Sequence, residues 1–568
     1  MTIAGLAYNE PHQHHDILQL SKLGGMGSSP QHMKRDLFKR LLRFPIEAAA
    51  TFIKVPMKIS GVLHDNFDFT MVYPHKLFAS LYHDYPQEFR KRFFGNDPTN
   101  IRRFWRSQEK HPGYQGHDMH THPDYNFATK GVPLYVHGDD VASIGLGKIW
   151  ARSADCVSWG GLLEPSGTAT SCHLLVWIIF INTLTTIADG PRTVQVLWKH
   201  LVYSLYWLYR GQWPDRDVNG ILYTEGPDFD RALTPLAGGY FGVLWNLRGD
   251  IDWVHWIFHL AESAAGLPCS CCGGGASPTP WTACTFPGSA WIGTVWDRQS
   301  HRLHFGDALH RLFRVLPGFC ISHYIPDILH CKWLGADQYF LGSALAMLTH
   351  YWLPGTPAEN LTLVKASIDE EYKRAGILTK HRYPVLRVSM YKGGKAATLP
   401  KLKGTGMQCK ALNKVMPDVF EKHMDPGDFN HQRILLGLQA IRDIDNIYGK
   451  HMRDYCFPEE ASKQLIDKSF FVAQVVTTLI KRLHPLRVPL FHYTIKQHYC
   501  LHIALATQYT NPFMGDCSSG EDFMKACKKL IKGSVSGNSP GKIGSVAVEK
   551  YLKGFHITLD VESEWWRN

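Results

Sequence analysis

Residues 133–143 read PLYVHGDDVAS, an apolar stretch that stops at Gly138 and two adjacent acids. Val132, Leu134 and Val136 alternate with Pro133 and Tyr135, the two-residue period of a strand, and His137 and Gly138 then break it. Two readings compete for Asp139 and Asp140. Asp and Gly suit tight bends, so the pair can simply make a turn. Acids at the C-terminal end of a buried strand are also where α/β proteins place active-site groups. The stretch alone favours the turn, and its surroundings have to decide.

Those surroundings repeat the strand texture. DCVSWGGLL (155–163) alternates like a second strand, and HLLVWIIFIN (173–182) is a continuous apolar run like a buried third. Residues 192–212 then put Val194, Leu197, Leu201, Leu205 and Leu208 on one helical face, before the stop signal WPDRDVNG. GYFGVLWNLRGD (239–250) is a fourth strand that again ends in an acid. Three strands, a crossover helix and a fourth strand form the opening order of a ribonuclease-H-like α/β fold with a mixed sheet. In that order the ends of the first and fourth strands lie together. Asp139 is therefore expected beside Asp250, where a metal carboxylate belongs.

The chain has 568 residues, 45% hydrophobic and 12% aromatic, enough for a sizeable core and roughly two to four domains. Its formal charge of +11 leans toward an anionic partner. Thirteen irregularly spaced cysteines do not spell a disulfide scaffold. The first residues lack a charged start followed by an apolar core, and LLVWIIFINTLTTI falls short of the ~20 apolar residues a membrane helix needs. The expectation is a soluble, intracellular chain with reduced thiols and no membrane contact.

Four regions are expected. Residues 1–130 read as a basic, mostly helical N-terminal region, with QHMKRDLFKRLLRF and QEFRKRFFG as amphipathic helices. HPGYQGHDMHTHPDY (111–125) has four histidines that could hold a metal, but their irregular spacing reads better as a solvated connection. Residues 131–330 hold the four strands and a Cys-rich loop, 331–510 form a mainly helical insertion, and 511–568 supply a helix that completes the core. Between Lys373 and Lys414 there are eight Lys and three Arg but no Asp or Glu. That run is either a solvated loop or, around Lys392, Lys395, Lys401 and Lys403, a contact to a phosphate backbone. Trp245, Trp253, Trp256, Trp291 and Trp296 are expected in the core.

Further motifs follow in order: RGDIDW with Asp250, Cys269-x-x-Cys272, Asp327-x-x-His330, His498-x-x-x-His502 and Glu521. This succession, from about 131 to 555, resembles the transposases of CACTA-type (En/Spm-like) DNA elements, members of the ribonuclease-H-like DDE superfamily. The resemblance implies DNA cleavage and strand transfer in the nucleus, with transposon ends and target DNA as partners and self-association left open. It implies Asp139, Asp250 and Glu521 as catalytic ligands of Mg²⁺ or Mn²⁺. Such chemistry uses two hard cations about 4 Å apart. Asp140 stands where the family has Gly, so either acid can be the ligand; Asp139 keeps the spacing from the strand.

The bland readings stay beside these. Asp250 and Asp252 can cap the following helix, and Ser518-x-x-Glu521 has the spacing of a capping box. Cys269 and Cys272 have zinc spacing, with Cys271 and Cys284 as competitors. His330, His498 and His502 (and Asp327) are the donors available to complete a structural zinc site. Asp327 and His330 can instead form a buried structural pair. A DNA-binding protein without catalysis, or a metal-dependent nuclease without strand transfer, are the alternative functions.

Overall fold

The chain is a mixed α/β protein in which one four-stranded sheet is wrapped by helices and joined to a helical unit. The computed structural model describes residues 49–142, 153–163, 172–186, 192–258, 266–392 and 399–562. The expected helix over 31–44 and Lys395 lie outside these residues.

All four expected strands are present. They are β3 (Gly131–Ala142), β4 (Ser153–Gly161), β5 (Leu174–Phe180) and β6 (Phe241–Arg248). The sheet order is β5-β4-β3-β6, with β3 antiparallel to β4 and parallel to β6. β5 is buried along its whole length and β3 as far as Gly138, which is why their sequences read as near-continuous apolar runs. The β3–β6 register ends with His137 opposite Arg248. Two residues further on, β3 carries Asp139 and the chain that has just left β6 carries Asp250.

The sequence reading lacked one sheet, the antiparallel hairpin of β1 (Ala50–Ile59) and β2 (Val62–Val72) within the region expected to be mostly helical. The helices α1 (Pro74–Asp84), α2 (Pro86–Phe94) and α3 (Thr99–Ser107) follow it. The crossover helix α4 (Thr193–Arg210) buries Leu197, Leu201, Leu205 and Leu208 against β6. It ends at Gly211, whose φ of 66° and N–H bonds to Trp207 and Leu208 carbonyls close the last turn. α5 (Ile251–Phe258) leaves the end of β6 at once.

From residue 337 the chain is helical: α6 (Asp337–Ala346), bracketed by π-helical turns at Leu329–Ala336 and Met347–Trp352, then α7 (Pro357–Arg374), α8 (Gly406–His423), α9 (Phe429–His451), α10 (Glu459–Leu483) and α11 (Ile495–Ala506). The chain then returns to the sheet with α12 (Ser518–Ser534) and α13 (Pro540–Glu562), which lie over β3 and β5. Burial divides accordingly. One apolar core joins the hairpin, α1–α3, the sheet, α4, α5, α12 and α13; a second joins α6–α11 to the loop around Cys269 and Trp291.

Two expectations are corrected. The 111–125 stretch is not simply a solvated connection, because His111 and His117 are buried with Trp245 and His323. Their rings offer apolar faces to the indole, while His111 Nδ1 accepts the Gly113 N–H and His117 Nδ1 accepts the Met119 N–H. Trp256 is exposed on the outer side of α5, whereas Trp245, Trp253 and Trp291 are core. Among the described residues no helix is long and apolar enough to cross a membrane.

A candidate carboxylate site and a candidate zinc centre

Asp139 and Asp140 point to opposite faces of the sheet, as successive strand residues must. Asp140 lies opposite Asp155 and Asp139 opposite Cys156. The Cys156 face is covered by α12, where Gly520 packs so closely on His137 that a β-carbon would overlap the imidazole. Glu521, the next residue, thus lies in the first turn of α12 over the end of β3. Burial, then the negative charges of Asp250 and Glu521, push the Asp139 carboxyl up to about 8. Asp140 is pushed up to about 7 by burial, Asp155 and Asp250. Asp139, not Asp140, is the acid that senses both Asp250 and Glu521.

The two capping readings come out differently. Asp250 does cap α5, because its Oδ1 accepts the Trp253 N–H at 2.6 Å. Asp139 Oδ1 likewise accepts the Asp140 N–H at 2.7 Å. Each acid therefore spends one oxygen on the backbone and keeps Oδ2 for another partner. The capping box at Ser518 is not formed: Cys517 stands at the N-cap without a side-chain capping bond, and the Ser518 hydroxyl donates to Asp516 at 2.9 Å. Glu521 instead lies 3.4 Å from His330 Nε2.

Asp327 holds this corner together. Its fully buried carboxylate accepts the Cys517 and Leu329 N–H groups through Oδ1, at 2.9 and 3.1 Å, and the His330 N–H through Oδ2, at 3.0 Å. His330 Nδ1 adds a 2.5 Å bond to Oδ2. Burial works against a charged imidazole here. The Asp327 bond and charge, with Asp250 and Glu521 beyond, outweigh it and hold His330 up at about 9.

His330 is thereby separated from the thiol cluster it was expected to join. Cys269, Cys272, His498 and His502 form that cluster without it, all buried, with one donor atom from each within 4.8 Å of the others. Cys269 Sγ lies 3.4 Å from His502 Nε2, Cys272 Sγ 3.4 Å from His498 Nε2, and the two Nε2 atoms are 3.1 Å apart. A tetrahedral zinc with bonds of about 2.1 Å to nitrogen and 2.3 Å to sulfur spaces its donors at about 3.3–3.8 Å. The donor set and its spacing fit a zinc ion. The Cys271 and Gly274 N–H groups point at Cys269 and Cys272 Sγ, at 3.3 and 3.4 Å, which favours thiolates. Burial and then the Cys271 thiol push the Cys269 thiol well up, and burial pushes His498 down to about 3, so a divalent cation is what would stabilise charged sulfur there. Neither Cys271 nor Cys284 belongs to the quartet.

The lysines divide. Lys401 and Lys403 line an open cleft that also includes His330, Gln338, Tyr391 and Lys496. Burial and the neighbouring Lys496 charge lower the Lys401 pKa. Lys392 instead donates to the Tyr351 hydroxyl at 3.0 Å and is not among the cleft residues. Sequence reasoning missed Lys496, although it lies two residues before His498 on the same helix. It also missed Asp155, an acid buried in the middle of the sheet on β4. The sequence matches no known family profile and no curated protein sequence.

Proposed function

We propose that this chain is a DDE-type transposase, a metal-dependent enzyme with a ribonuclease-H-like core that cleaves DNA phosphodiesters and joins the ends to a target. One observation carries the reading. Three acids from distant parts of the sequence, at the ends of β3 and β6 and in the first turn of α12, lie close enough that Asp250 and Glu521 add to the effect of burial in raising Asp139 to about 8. A fold gains no stability from collecting like charges, so such clusters mark functional sites. The free Oδ2 atoms of Asp139 and Asp250, with Glu521, form a hard-oxygen donor set that fits Mg²⁺ or Mn²⁺. When bound, such ions activate the attacking oxygen and stabilise the leaving one. The chain's own contribution is to fix the acids on rigid strand ends, to hold Glu521 through the Asp327–Cys517 bond, and to offer a phosphate strand the ammonium groups of Lys401, Lys403 and Lys496. A protein acting on element DNA would work in the nucleus.

The test is cleavage of DNA carrying element ends by the full chain in Mg²⁺ or Mn²⁺. Asp139→Asn and Asp250→Asn each keep shape and hydrogen bonding, and each is expected to lower cleavage by about 10³-fold or more while DNA affinity stays within a few-fold. Normal cutting by both variants ends the reading. Nicking without joining reduces it to a nuclease, and DNA binding without nicking in any divalent metal reduces it to a binder.

A further inference from the structure

The acids sit on one side of the strand ends, and a single tryptophan fills the other side. Gly138 precedes Asp139 and Gly249 precedes Asp250. A β-carbon on Gly138 would overlap the six-membered ring of Trp253, at Cζ2 and Cε2. One on Gly249 would come within 2.5 Å of Trp253 Cε3 and 3.1 Å of the Gly138 carbonyl oxygen. One indole is therefore pressed against both strand ends at once, and both are glycine because nothing larger fits beneath it.

Trp253 is itself fixed at two points. Its Nε1–H donates to Asp155 Oδ1 at 2.9 Å, and its backbone N–H donates to Asp250 Oδ1 at 2.6 Å. Asp155 is fully buried on β4, and its other oxygen accepts the Trp177 Nε1–H at 2.8 Å. A buried carboxylate costs several kcal/mol unless its oxygens are satisfied, and here the two indole N–H groups satisfy both. The chain β4–Asp155–Trp253–Asp250 thus ties the end of β6 to the sheet from behind, with the ring as spacer under Gly138 and Gly249.

We propose that Trp253, anchored by Asp155, is the positioning residue that sets the separation of Asp139 and Asp250, and hence the spacing of the two divalent ions they share. The inference rests on the metal reading above. It makes Trp253 a support that touches neither substrate nor metal.

Mn²⁺ titration of the full chain, followed by electron paramagnetic resonance, tests it, because exchange coupling between two Mn²⁺ ions reports their distance. The wild type is expected to bind an exchange-coupled pair. Trp253→Phe keeps an aromatic ring but loses the Nε1–H, and is expected to weaken Mn²⁺ binding by about tenfold and to alter the coupled signal, at unchanged zinc content and DNA affinity. Gly138→Ala is expected to do the same in the wild type but to add little in a Trp253→Ala background, where the overlapping ring is gone. A coupled signal and affinity in Trp253→Phe equal to the wild type overturn the inference, as does full additivity of Gly138→Ala and Trp253→Ala. A wild type that binds no Mn²⁺ overturns the metal reading, and this inference with it.

Discussion

His323 packs its ring against Trp245, His111 and Phe319, at centroid distances of 4.6, 5.2 and 5.3 Å, while its Nδ1 accepts the Cys320 N–H at 3.1 Å. Burial drives its pKa down to about 3, and burial likewise holds His111 and His117 well below the usual value. The unfolded chain takes up protons at these rings near pH 6.5, whereas the native chain does not. Stability is therefore full above pH 6.5 and falls as the pH drops from there toward 3, by about 1.4 kcal/mol per pH unit for each refused proton. Urea unfolding at pH 5 and pH 7.5 measures this, and His323→Gln is expected to remove about one proton's share of the difference; an unchanged difference assigns the dependence elsewhere. At this scale sequence could name the residue but not its surroundings. In HPGYQGHDMHTHPDY the spacing holds nothing that distinguishes the two histidines beneath Trp245 from the exposed His120. Asp139 and Asp140 show the same limit, since two adjacent acids separate only once a strand's alternation assigns them to opposite faces.

At the scale of the elements, period and burial made β3, β4, β5, β6 and α4 legible. The β1–β2 hairpin was not, because β2 is exposed over its first half and the register slips between Val55 and Met57, which breaks the alternation a reader would count. The Cys₂His₂ quartet was half legible. Cys269-x-x-Cys272 and His498-x-x-x-His502 each announce a pair of donors, and His330 matched them in type, but only the fold brings α11 to the Cys-rich loop and turns His330 toward Asp327 and Glu521. Ser518-x-x-Glu521 misleads for a related reason: Asp327, 190 residues earlier, takes the Cys517 N–H at the start of α12. The quartet clamps the loop around Trp291 to α11, the helix that leads into α12. Purified chain is accordingly expected to carry one zinc, and Cys272→Ser or His502→Gln to lose it and lower the unfolding temperature by several degrees. Replacement by Co²⁺ should give the visible absorption of a tetrahedral thiolate site. Full stability in a metal-free chain, by elemental analysis and calorimetry, would make the cluster a plain hydrogen-bonded core.

On the scale of the whole molecule, the two cores are separate, and every residue lining the cleft belongs to the helical side, from His330 to Lys496. In the helical unit Lys332 Nζ is buried between Asp337 and Asp445, at 2.6 and 2.8 Å, while Asn413 donates to both acids and Trp333 to Asp445. That satisfied network fixes α6, α8 and α9 on one another. The basic cleft carrying Lys401, Lys403 and Lys496 is thus built on a rigid wall, and His330 closes its end beside Glu521. Of the acid-free run from Lys373 to Lys414, several cations are already engaged: Arg374 pairs with Glu371 and Asp418, Lys410 lies over Trp333, Lys392 rests on Tyr351, and Lys401, though it lines the cleft, lies over Tyr339. The run's charge therefore overstates the surface offered to a polyanion. DNA affinity measured across salt concentrations distinguishes the two groups, because each phosphate contact contributes roughly 0.9 to the slope of log affinity against log salt. Lys401→Gln, Lys403→Gln and Lys496→Gln together are expected to flatten that slope by up to about 3 on the same basis, whereas Lys392→Gln should leave it unchanged. A triple variant with the wild-type slope would remove the cleft from the path of the DNA, and a flattened slope in Lys392→Gln would move that path to the outer face of α6 and its flanking turn.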